Sequence, residues 1–172
     1  MKFRPVFAAL AAVLVAACAS TPPEPAPAAL TSATPEEMVA LIDAAAGDGD
    51  GELAVQPLRD PMVDDLRAQA RQAHDAGRHE QAAEALDRAL ELVPGDPALL
   101  QERAEAALLL RDFARAGELA GRAFALGAQV GPLCRRHWAT IEQVRLVEGD
   151  AEGAASAKAQ VEGCKVEGPN RF

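Results

Sequence analysis

The side chains able to carry covalent chemistry are few, and their spacing does not suit it. From residue 35 onward the hydroxyl nucleophiles are Thr140 and Ser156, and neither sits in a glycine-flanked elbow. No phosphate-cradling glycine loop and no Cys-x-x-Cys occurs. His74 and His79 stand five apart across Gly77, whereas paired metal ligands on one helix face stand three or four apart. His137 adjoins Trp138, which suits packing better than proton transfer. Asp48, Asp50 and Glu52 alternate like the opening of a calcium loop. However, Leu53 takes the place of the turn glycine and Arg59 that of the closing glutamate. A Gly-Asp turn accounts for the same residues. The expectation is no enzyme, no metal and no cofactor.

Three cysteines remain. The first, Cys18, ends an apolar run from Val6 to Ala17 that follows the basic residues Lys2 and Arg4. At ~1.5 Å per residue that run is ~18 Å long, short of the ~30 Å of a bilayer core. The layout is that of a secretion signal. Its last residues, Val15-Ala16-Ala17-Cys18, resemble the bacterial lipobox. That resemblance implies cleavage before Cys18 and acylation of Cys18, with residues 1–17 as the signal. The competing cut is an ordinary A-x-A-like site at Ala17-Cys18-Ala19. A lipid-anchored product would face the periplasm, and Ala19, in place of the Asp that retains enterobacterial-type lipoproteins, implies the outer membrane. Loss of Lys2 and Arg4 would take the formal charge from −9 to −11. So acidic a chain is a poor ligand for the phosphates of nucleic acid.

Residues 18–34 carry prolines at 22, 23, 25 and 27 and read as an extended linker. Thr34, Pro35 and Glu37 then supply an N-cap, a first-turn proline and a capping-box partner. Met38, Leu41, Ile42 and Ala45 form the apolar face of this helix, and Gly47 ends it. Residues 35–59 are therefore expected as a capping helix and loop covering the N-terminal side of the repeat-bearing remainder of the chain.

From residue 60 a 34-residue period appears. Leu66, Ala70, Ala73, Ala82 and Ala89 recur as Leu100, Ala104, Ala107, Ala116 and Ala123. Asp60-Pro61 and Asp96-Pro97 each provide a cap followed by a first-turn proline. Gly77 separates two apolar stripes, and Pro94-Gly95 closes the second. The alanines at facing positions let paired helices approach closely.

This pattern resembles the tetratricopeptide repeat (TPR). Its small residues fall at Ala70, Ala82 and Ala89, with Leu86 and Pro94 at the other signature positions. The second repeat keeps Ala104, Ala116 and Ala123. A degenerate third unit runs from about 135 to 168, with Trp138 standing for Leu66 and Leu100, and Glu142 where a small residue belongs. The expected fold is all-α: a short TPR-like helical-hairpin solenoid of two clear repeats plus one degenerate unit over 60–168, with a tail at 169–172. Cys134 and Cys164 would lie at adjoining ends of the third hairpin, and an oxidising periplasm permits a disulfide there.

The resemblance also implies a groove lined by the first helix of each repeat. Carried over, its residues are Asp64, Arg67, Arg71, His74 and Asp75, then Ala98, Gln101, Glu105, Leu108 and Leu109. The third unit adds Arg136, Ala139, Gln143, Leu146 and Val147. Arg67 and Arg71, one turn apart, could hold a partner's carboxylate or simply form a solvated face. Related repeat lipoproteins act as pilotins, as members of outer-membrane assembly complexes and as adaptors for cell-wall enzymes. The implied partners are envelope proteins, with the membrane reached through the lipid. The alternative is a structural subunit of a stable complex or homo-oligomer, its groove filled by its own N-terminal helix.

Overall fold

The computed structural model describes residues 27–47 and 60–165. The expected signal at 1–17, the expected acylation site Cys18, the residues Asp48, Asp50 and Glu52 and the tail expected at 169–172 lie outside the described residues. Within them there are seven helices: α1 (Pro35–Ala46), α2 (Pro61–Asp75), α3 (His79–Leu92), α4 (Pro97–Leu109), α5 (Phe113–Leu126), α6 (Gly131–Glu148) and α7 (Ala151–Gly163). The all-α, TPR-like expectation holds.

Local chemistry starts most of these helices. Thr34 and Glu37 form the reciprocal capping box of α1, with Thr34 N–H donating to Glu37 Oε2 at 2.8 Å. Asp60 accepts from Met62 N–H and Asp96 from Ala98 N–H, both at 2.8 Å, and a proline follows each. Asp112 and Asp150 cap α5 and α7 in the same way. Each hairpin turn holds one residue in the left-handed region: Gly77, Arg111 and Gly149.

Helices α2–α3, α4–α5 and α6–α7 pair as hairpins, and each hairpin packs on the next. Buried alanines (Ala70, Ala83, Ala89, Ala104, Ala116, Ala120) carry much of the interior, as close helix approach requires. Leu66, Leu86, Leu99, Leu100 and Leu119 fill the space between hairpins. In the third hairpin α6 begins at Gly131, earlier than the 135 expected, and α7 buries Ala154, Ala157 and Val161. Cys134 and Cys164 are bonded there, with Sγ–Sγ 2.01 Å, and Gly131 N–H donates to the Cys164 carbonyl at 2.7 Å.

Helix α1 differs from expectation in position. It packs on α6 and α4, so it covers the later repeats rather than capping the first. Its buried arc is Met38, Ile42 and Ala46, flanked by half-buried Val39 and Ala45, while Leu41 is 52% exposed. At 100° per residue Leu41 falls outside the arc centred on Ile42. Ile42 enters a cluster with Leu108, Ala139 and Val144, an apolar surface that α4 and α6 alone would leave open. Arg135 fixes the far end of α1, donating from Nε to the Ala46 carbonyl at 2.9 Å, where a cation also meets the negative end of the helix dipole.

The linker boundary also moves. Leu30 N–H donates to the Leu146 carbonyl at 2.8 Å, and Pro27 and Ala28 lie against Gly149. The end of the 18–34 linker is therefore part of the folded domain. No helix among the described residues is long and apolar enough to cross a membrane.

Candidate partner-binding site

Because α1 lies over α4 and α6, it divides the face made by the first helices. One half is occupied by α1 itself. The other half is an open cavity of about 310 Å³ between α1, α2 and α4. Its floor is small and apolar: Ala70, Ala82, Leu86 and Ala106. Arg71, His74 and Asp75 rise from α2, Glu102, Glu105 and Leu109 from α4, Val39 and Asp43 from α1, and Arg136 from α6.

Of the residues expected in the groove, the structure brings Arg71, His74, Asp75, Glu105, Leu109 and Arg136 together in this cavity. Two are corrected. Gln101 is 1% exposed and Leu108 fully buried, so neither is a groove surface. Leu108 is covered by α1. Gln101 is drawn inward by three polar neighbours. It donates to Glu105 Oε1 and to Thr140 Oγ1, both at 2.8 Å, and accepts from His137 Nδ1 at 2.6 Å. Ala139 and Gln143, read for the third unit, are buried too. Asp64 is exposed on α2, outside the cavity lining, with a carboxylate oxygen 3.9 Å from Arg67.

Most charges here are already matched. Arg67 makes a bidentate pair with Glu102, its Nε reaching Oε2 at 3.0 Å, so it is not a free partner to Arg71. The hydrogen bond to Glu102 further raises the Arg67 pKa. Arg136 joins two helices, reaching Glu105 Oε2 at 2.6 Å and Asp43 Oδ1 at 3.0 Å. Burial pushes the Glu105 carboxyl above the usual range, opposed chiefly by Arg136. Beneath them, burial lowers His137 to about 4, so its ring is neutral and donates from Nδ1. Arg71 and Asp75 are different: both are exposed and neither side chain has a partner among the described residues.

Sequence reasoning missed Val39, Asp43, Glu102 and Ala106 as lining residues. The amphipathic pattern of α1 was visible, and the alternative in which the N-terminal helix fills the groove anticipated its place on α4 and α6 in part, whereas the capping expectation did not. His74 and His79, excluded as a metal pair by spacing, meet in a tilted ring contact with 5.8 Å between ring centres.

No protein-family model and no curated protein matches the chain. Among solved structures, the globular C-terminal domain of LpoP from P. aeruginosa does, with 30% identity and a TM-score of 0.57. The helical domain belongs with the LpoP globular domain. The match covers 99% of the LpoP domain and 61% of this chain, so this chain carries further segments around the shared fold.

Proposed function

We propose that the protein is a lipid-anchored adaptor that faces the periplasm from the bacterial outer membrane and binds an envelope protein through the open half of its groove. The observation that carries this is the cavity itself. It has a small-residue floor, a built wall in α1 and two charged side chains without partners among the described residues. The lipobox-like residues at Cys18 support the anchor. The likeness to the LpoP domain favours an adaptor or activator of cell-wall enzymes over a pilotin or an outer-membrane assembly role. No residue in the cavity is arranged as nucleophile and base, which fits binding rather than turnover.

The test is affinity capture after crosslinking in intact cells, comparing the wild-type chain with Arg71→Glu and with His74→Trp, which fills the cavity mouth. The reading expects an envelope protein that both variants lose. Equal recovery from all three chains overturns it. A second reading, a structural subunit closed by its own helix, draws on α1 covering half of the face. Light scattering separates the two, because a stable monomer opposes the oligomer.

A further inference from the structure

We infer that the open half of the groove receives an amphipathic helix from the partner, carrying a carboxylate for Arg71 and a cation for Asp75 one helical turn apart. This rests on the adaptor reading and specifies its ligand.

The other half of the same face already holds such a helix. α1 lays Ile42, with Val39 and Ala45 beside it, onto α4 and α6 and offers one carboxylate, Asp43, to Arg136 at 3.0 Å. The protein thus displays what this face accepts: a short helix with an apolar stripe and an acidic flank set against an arginine. The open half repeats those terms. Ala70, Ala82 and Ala106 provide a floor low enough for another helix to approach. Arg71 stands at its edge as Arg136 does at the other.

Charge points the same way. The acids of the wall are satisfied internally, Glu102 by Arg67 and Glu105 with Asp43 by Arg136. What remains for a partner is one cation and one anion. Arg71 and Asp75 are four residues apart on α2, so they sit on one face about 6 Å apart along the axis. Two side chains at i and i+4 of a helix lying along α2 match that spacing. A cavity of about 310 Å³ is at the small end for a ligand pocket and suits a few anchoring side chains rather than a whole small molecule.

The experiment pans a phage-displayed library of helix-forming random peptides on the full chain in detergent. The proposal expects peptides with an aliphatic stripe beside an acid and a base at i,i+4. The best of them should lose at least about tenfold in affinity on Arg71→Asp. The exchanged variant Arg71→Asp with Asp75→Arg should prefer the same peptide with its two charges exchanged. All these positions are exposed, and circular dichroism verifies that the variants fold. Peptides lost on His74→Trp but indifferent to Arg71→Asp would overturn the charge assignment and leave the groove standing. If no peptide is sensitive to His74→Trp, both the inference and the groove reading fail.

Discussion

Replacing Gly149 by alanine tests whether the end of the linker belongs to the folded domain. Gly149 has φ +76°, and a Cβ there would sit 2.6 Å from the Ala28 carbonyl oxygen and 2.8 Å from Pro27 Cβ. Gly77 is its natural control: φ is +70° and a Cβ would meet nothing within 4 Å. Gly77→Ala therefore carries only the left-handed penalty, about 1 kcal/mol. Gly149→Ala carries the same penalty and also forces residues 27–30 away. That removes the hydrogen bond from Leu30 N–H to the Leu146 carbonyl, a net loss of about 1 kcal/mol. The expected totals are about 2 kcal/mol for Gly149→Ala against about 1 for Gly77→Ala. Urea unfolding measures the totals, and hydrogen exchange at the Leu30 amide locates the difference. Leu30 should lose protection in the first variant and keep it in the second. Equal destabilisation with Leu30 still protected in both would refute the docked linker.

Ile42 is fully buried against α4 and α6, so Ile42→Ala should cost about 3 kcal/mol in the docking of α1. Exchange at α1 amides should accelerate well before that of α4. His137, lowered to about 4 by burial, should show no ring titration by NMR between pH 8 and 5. Its folded pKa lies below the unfolded value, so its contribution is present above about pH 6.5 and is lost as pH falls toward 4. We also expect the Cys134–Cys164 bond, which spans 30 residues, to contribute about 3–4 kcal/mol in the chain-entropy model. Urea unfolding of Cys134→Ala with Cys164→Ala, and thiol titration of the native protein, check that figure and the pairing.

Features that depend on neighbouring residues were legible. The Thr34–Glu37 box, the Asp-Pro helix starts at 60 and 96, and the glycine at 77 all act within a few residues of chain and appear as read. The alanine period carried the hairpin pairing, because close approach leaves a residue-size signature. Partnerships between distant segments were not legible. Gln101 and His137 are 36 residues apart and Arg67 and Glu102 are 35 apart. Polar residues at groove positions give no sign of whether they face solvent or one another. The exposure of Leu41 follows from the arc centred on Ile42 that α1 turns to α4 and α6; which of its apolar residues centre that arc is set by the docking. The docked linker is held by a backbone hydrogen bond at Leu30 and by the contact of Pro27 and Ala28 with Gly149, to which side-chain patterns are blind.

That a partner enters the open half of the groove beside α1 is the central claim. Site-specific photo-crosslinking in living cells tests it most directly, with the photoreactive residue placed in turn at Arg71, His74 and Asp75, and at exposed Glu91 on α3 as the control. The predicted result is one envelope protein crosslinked from the three α2 positions and absent from position 91. Crosslinking of that protein from position 91 but from none of the three α2 positions would contradict the claim.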